Sequence, residues 1–178
     1  VLLIDADLRA PKMHLINDLN NNTGLSTLLT SSNFSQELVE KTIRRDVESC
    51  LDVLPSGPRV PNPSNLFSST EMRDLLAKLS AVYSHIVIDS PPVLYFADSV
   101  ILATSVEAVV VIARANYSSR EVLSRAKKKL QDVRGNVIGI VLNDVPLGNF
   151  KYYNNNYYRL LEQSEAEESA RSVLHINS

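Results

Sequence analysis

A chain of 178 residues with 44% hydrophobic and 21% charged side chains is long enough to bury a sizeable core and has the composition of an ordinary globular protein. Its net charge of -2 argues against broad nucleic-acid binding, which calls for a basic face. A single cysteine, Cys50, excludes an intrachain disulfide framework, and no apolar run approaches the roughly 20 residues of a membrane helix, so a reducing cytoplasm is the expected compartment.

The chain opens without Met on Val1-Leu2-Leu3-Ile4, which reads as a buried strand, so upstream sequence is expected to be missing. Leu25 to Leu29 forms a short helical pattern. Ser35 caps the next, which carries Leu38, Val39 and Ile43. Leu51 to Leu54 is a short strand stopped by Pro55-Ser56-Gly57-Pro58. Thr70 is the expected cap of a helix bearing Met72, Leu75, Leu76 and Leu79, with Glu71 and Asp74 where the helix dipole favours acids. His85 to Ile88 and Ala108 to Ala113 are further strands. A helix from Ser118 or Ser119 places Val122, Leu123, Ala126, Leu130 and Val133 on one stripe, and Gly135 closes it. Val137 to Leu142 is the last strand. These apolar runs are near-continuous, as in strands covered on both faces. Alternating strands and helices predict a doubly wound α/β fold with a mostly parallel sheet. Composition changes after Pro146, dividing a core at 1–146 from a flexible Tyr-rich tail at 147–178.

Ligands of open α/β sheets sit beyond the carboxyl ends of the strands. Asp5-Ala6-Asp7-Leu8-Arg9 follows the first strand, Asp89-Ser90-Pro91-Pro92 follows the third, and Asn143-Asp144 follows the last. Neighbouring carboxylates repel unless a cation joins them, and magnesium suits that role with a few carboxylates, waters and phosphate oxygens. Any one of these Asp residues also reads as a cap of a turn or helix. His14, His85 and His175 lack metal-ligand spacing and read as structural or exposed. Cys50 reads as a semi-buried small apolar residue. Lys127 to Lys129 reads as a solvated helix face, with contact to anionic lipid as the alternative.

Val1 to Arg9, an apolar run followed by Asp-x-Asp-x-Arg, resembles the modified Walker motif of the bacterial tyrosine kinases that control capsule and exopolysaccharide export. Ile86 to Pro92 resembles their Walker B motif, a motif whose variants occur in the MinD and ParA ATPases. Leu54 to Pro58 followed by Asn62-Pro63-Ser64 is similar to the connection between these motifs, and Gly139 to Asn143 to the last core strand. Tyr152, Tyr153, Tyr157 and Tyr158 stand where the family carries its tyrosine cluster. The resemblance implies a P-loop ATPase type of fold, MinD/ParA-like and truncated at its N-terminus. No Gly-x-x-x-x-Gly-Lys-Ser/Thr occurs, and the family carries that loop upstream of where this chain begins. The chain by itself is therefore expected to be poorly stable and inactive.

The resemblance further implies a protein-tyrosine autokinase using ATP and Mg2+. Asp7 and Asp89 would hold the metal. Asp5 would accept the proton of the incoming Tyr hydroxyl or position the metal. Arg9 would pair with carboxylates or a phosphate, its alternative being a surface salt bridge. Asn143 would hydrogen-bond the adenine or cap its strand. Tyr152, Tyr153, Tyr157 and Tyr158 would accept phosphate from a neighbouring subunit. The implied setting is a ring-like homo-oligomer at the cytoplasmic face of the bacterial plasma membrane. A membrane polysaccharide co-polymerase or activator, fused or separate, and a cognate tyrosine phosphatase would be its partners, without nucleic acid. The rival expectations are a MinD/ParA-like partition ATPase without tyrosine kinase activity and a non-catalytic phosphorylated scaffold.

Overall fold

The computed structural model describes residues 1–31, 34–45 and 50–146. In chain order they form β1 (Leu2–Asp5), α1 (Met13–Ile16), α2 (Leu25–Thr30), α3 (Gln36–Thr42), β2 (Asp52–Leu54), α4 (Pro63–Phe67), α5 (Thr70–Ser80), β3 (Ile86–Asp89), α6 (Asp98–Leu102), β4 (Val109–Arg114), α7 (Arg120–Asp132) and β5 (Val137–Asn143). Strands and helices alternate as the hydrophobic runs predict. The tail at 147–178, with Tyr152, Tyr153, Tyr157, Tyr158 and His175, lies outside the described residues.

The residues divide into two compact units. The first, Val1–Val111 with Arg120–Gly139, contains the sheet β2-β1-β3. Both pairings are parallel, with Leu3 opposite Val53 and Val87, and Asp5 opposite Asp89. One face of this sheet is the core. Leu2, Ile4 and Leu54 are fully buried there, against Leu25 and Leu28 of α2, Met72 and Leu75 of α5, and Phe67 of α4. The second unit comprises 112–119 and, among the described residues, 140–146. β4 and β5 form a two-stranded sheet. The N–H groups of Val109 and Ala115 donate to the carbonyls of Asn136 and Asn143, at 2.8 Å each, so the two strands advance together and run parallel.

The later strands are not covered on both faces. Val87 of β3 is 53% exposed, Ile112 of β4 62% and Ile138 of β5 64%, alternating with half-buried neighbours. A continuous apolar run reports how apolar a strand is, while the layers packed on it decide which faces are buried.

Local chemistry explains several helix ends. Ser35 accepts the N–H of Leu38 and caps α3 as expected. The cap of α5 is Ser69, not Thr70: its Oγ accepts the N–H of Met72 at 3.3 Å, and Thr70 is already the first helical residue. The residue with left-handed backbone after α7 is Arg134 (φ 61°), not Gly135. Gly135 sits in tight space instead, since a Cβ would lie 3.0 Å from the carbonyl oxygen of Leu130. Cys50 is exposed in a left-handed conformation (φ 55°), where the sequence suggested a semi-buried apolar residue.

α2 is seated on the loop that ends β2. Leu25 and Ser26 donate their N–H groups to the carbonyls of Pro55 and Ser56, at 2.8 Å each. Asn21 closes the same junction, accepting the N–H of Gly57 at 2.8 Å and donating to its carbonyl at 3.0 Å.

Candidate active site

The parallel register fixes two carboxylates side by side. Asp5 ends β1 opposite Asp89, which ends β3, and the Ala6 N–H still reaches the Asp89 carbonyl at 2.8 Å. Asp7 follows in the loop. Asp5 is fully buried; its Oδ1 accepts the Asp7 N–H at 3.2 Å and its Oδ2 the Met13 N–H at 3.1 Å. The Oδ1 of Asp7 accepts the N–H groups of Arg9 at 3.2 Å and Ala10 at 3.0 Å. These are the turn-forming bonds open to an Asp after a strand, so the capping role and the clustering at the sheet mouth coexist.

Burial pushes the Asp5 carboxyl above its usual range, and repulsion from Asp7 adds to this, while the hydrogen bonds from Met13 and Asp7 oppose it. Asp89 is open to solvent on one side, yet the protein desolvates its carboxyl and raises it, and repulsion from Asp5 and Asp7 raises it further. Asp5 and Asp89 are thus both raised at one sheet end beside Asp7, a concentration of negative charge that a bound cation would offset.

Among the described residues, no three His, Cys, Asp or Glu side chains form a metal cage by themselves. Magnesium needs no such cage, because one or two carboxylates complete its shell with waters and substrate phosphates. Asp7 and Asp89 match that donor number and type, and among the described residues the backbone bonds to Asp7 go to Oδ1. The residues present therefore fit Mg2+ bound with a nucleotide.

Arg9 goes to a partner that sequence reasoning missed. Its Nε donates to Oδ2 of Asp98 at 2.7 Å and its Nη2 to Oδ1 at 3.1 Å, across 89 residues of chain. The Asp98 side chain is fully buried, so this is not the surface salt bridge entertained from sequence. Ser64 also donates to Oδ1 of Asp98, at 2.5 Å, and the guanidinium lies 4.4 Å from the centroid of the Phe96 ring. Burial would raise the Asp98 carboxyl, but the bonds from Arg9 and Ser64 and the charge of Arg9 prevail and hold it below its usual range. The signal was faint: Asp98 stands before Val100-Ile101-Leu102 and reads as an ordinary helix start.

Asn143 ends β5 in the second unit, where its Oδ1 accepts the Asp144 N–H at 2.9 Å. Beside it, Arg114 pairs with Asp144 at 2.7 Å, with both side chains exposed. His85 is exposed next to Ser84, and His14 keeps a buried Nδ1 with no hydrogen-bond partner among the described residues. No helix among the described residues is long and apolar enough to cross a membrane.

A family model described as an AAA domain matches residues 1–138. The tyrosine-protein kinase YwqD of Bacillus subtilis (strain 168) is 34% identical over 158 residues, which are 89% of this chain and 64% of that protein. The chain thus spans somewhat less than two thirds of this relative. The kinase domain of VpsO is 34% identical with a TM-score of 0.75, the match covering 82% of this chain and 70% of that structure. The apo McdA structure from Cyanthece is only 18% identical, with a TM-score of 0.61 over 79% of this chain and 59% of that one, and it shares the fold alone. Such parallel α/β sheets are those of the P-loop ATPase fold. With Asp-x-Asp-x-Arg at the end of β1 paired in register with the Asp that ends β3, the chain belongs to the AAA-domain family and, within it, to the bacterial tyrosine kinases of the capsule and exopolysaccharide type.

Proposed function

We propose that the full-length protein is a protein-tyrosine autokinase that transfers the γ-phosphoryl group of ATP to C-terminal tyrosines of a neighbouring subunit. This transfer regulates capsule or exopolysaccharide polymerisation and export. The observation that carries the reading is the meeting of Asp5, Asp7 and Asp89 at one sheet end in a chain 34% identical to a tyrosine-protein kinase.

Phosphoryl transfer needs charge neutralisation and an in-line nucleophile more than covalent help from the protein. Asp7 and Asp89 would hold Mg2+, which when bound would supply neutralisation of charge on the phosphate oxygens. Asp5 is pinned by two backbone N–H groups and is more basic than an ordinary carboxylate. That suits it to orient the site and to take the proton of a phenol, whose ordinary pKa is near 10. Arg9 acts through its carboxylate pairing, with the Nε–Nη2 edge of its fork on Asp98. Asn143 offers its amide to the adenine. Tyr152, Tyr153, Tyr157 and Tyr158 are the acceptors. A homo-oligomeric ring beside a membrane activator, with a tyrosine phosphatase to reverse the mark, completes the proposed setting.

The test is phosphotyrosine mapping of the full-length protein after incubation with ATP and Mg2+, beside Asp89→Asn. Phosphate on tail tyrosines of the wild type and none on the variant is the expected result. ATP hydrolysis without phosphotyrosine would replace this function with that of a partition-type ATPase, and inactivity in both assays would leave a scaffold.

A further inference from the structure

We propose that Asp98 is a positioning residue: through Arg9 it sets the loop that carries Asp7, and Ser64 holds it in place. Both oxygens of Asp98 are used, Oδ2 by Arg9 Nε and Oδ1 by Arg9 Nη2 and Ser64 Oγ. The backbone N–H of the same Arg9 donates to Asp7 Oδ1, as does that of Ala10. A rigid fork therefore runs from the first residue of α6 to the turn that orients Asp7. The start of α6 reaches the other carboxylate loop as well. Ser99, next in sequence, hydrogen-bonds the carbonyl of Pro91, two residues past Asp89.

Three features favour positioning over simple stabilisation. Ladder pairing stops just past Asp5, at the Ala6 N–H, so the course of residues 7–10 depends on side chains. A buried ion pair contributes little net stability compared with apolar packing, while its geometry is specific. The planar guanidinium, gripped at two points and laid on Phe96, admits little rotation. Asp98 takes the Nε–Nη2 edge of the Arg9 fork. The Asn62-Pro63-Ser64 segment thereby acquires a purpose, since Pro63 opens α4 and delivers Ser64 to Asp98.

The inference rests on the kinase reading for the purpose of the loop, and two readouts keep them separable. Full-length wild type, Asp98→Asn and Arg9→Lys are compared for Mn2+ affinity in the presence of ATP, by electron paramagnetic resonance, and for the Mg2+ dependence of phosphotyrosine formation. Misplacing the loop should weaken Mn2+ binding about tenfold, the size seen when groups that orient metal ligands are removed. Half-maximal phosphotyrosine should need correspondingly more Mg2+, with part of the rate recovered at high Mg2+. The double variant should be no worse than either single one, since both break the same link. Arg9→Lys keeps the charge at a half-buried position and tests the fork alone, so it decides the matter even if Asp98→Asn fails to fold. Mn2+ affinity within twofold of wild type in Arg9→Lys would overturn the proposal and leave the pair as a fold staple. Wild type that binds Mn2+ with ATP but forms no phosphotyrosine would sink the kinase reading, with the positioning role still judged by Mn2+ affinity.

Discussion

Asp5 and Asp98 are both fully buried carboxylates, yet their surroundings shift them in opposite directions. Asp5 answers to burial and to its acidic neighbour and is raised, whereas Asp98 answers to a guanidinium and a hydroxyl and is lowered. The signs for stability follow. For Asp5, and for Asp89 with it, the folded state holds its proton more tightly than the unfolded chain. Stability from these groups is fully present below the unfolded value, about 3.9, and declines as pH rises through the raised folded values. For Asp98 the folded state releases its proton more readily. Its contribution is present above about 3.9 and is lost as pH falls through the lowered folded value. Asp89→Asn removes one raised group. Thermal midpoints taken from about pH 4 to pH 7 should therefore fall less in this variant than in wild type, without loss of fold. Phosphotyrosine formation should nevertheless drop by ~100-fold or more, the scale of removing one electrostatic stabiliser from a reacting centre. Equal pH slopes in the two proteins would mean that the Asp89 carboxyl is not raised in the folded state.

At the scale of elements, the cap of α5 separates what sequence shows from what packing adds. Ser69 and Thr70 are both plausible caps by residue type, and only geometry chooses Ser69, whose Oγ meets the Met72 N–H. Ser69→Ala should cost about 1 kcal/mol and Thr70→Ala clearly less, measured by urea unfolding; the reverse order would restore the cap read from sequence. The seat of α2 is less forgiving. A Cβ on Gly24 would lie 2.1 Å from the Gly57 nitrogen and 2.3 Å from the Pro55 carbonyl oxygen, both backbone. Gly24→Ala should lose about 1–3 kcal/mol or more through overpacking, seen as a melting point lower by ~2–4 °C per kcal/mol. An unchanged melt would show that α2 can lift off the loop at no cost. The five strands were legible because each is a short apolar run bounded by breakers, and Asp5, Asp7 and Asp89 because each follows such a run. α4 and α6, five residues each, carry too few apolar positions for a period to register. The Asp98–Arg9 pair was illegible for another reason, since nothing local links residues 89 apart.

At the scale of the whole molecule, the decisive property is which chain supplies the tyrosine. The four tail tyrosines follow β5 in sequence, Tyr152 standing nine positions after Asn143. Transfer between subunits and transfer within one chain make opposite predictions for mixed proteins. A full-length Asp89→Asn chain keeps the proposed acceptors and lacks a proposed catalytic carboxylate; a chain with Phe at 152, 153, 157 and 158 keeps the carboxylates and lacks the proposed acceptors. Each alone should form no tail phosphotyrosine. Mixed with ATP and Mg2+, they should mark the tail of the Asp89→Asn chain, identified by mass. The rate should also fall on dilution more steeply than in proportion to protein, because an encounter between chains precedes the chemistry. Silence in the mixture beside an active wild type would assign the reaction to a single chain. Phosphate on Tyr95 or Tyr117, which are 79% and 81% exposed, would instead move the acceptor into the core. Tyr83 should stay unmarked in every mixture. Its hydroxyl donates to Asp52 at 2.7 Å, and burial together with that bond pushes its pKa up to about 12. It holds its proton more tightly than a free phenol.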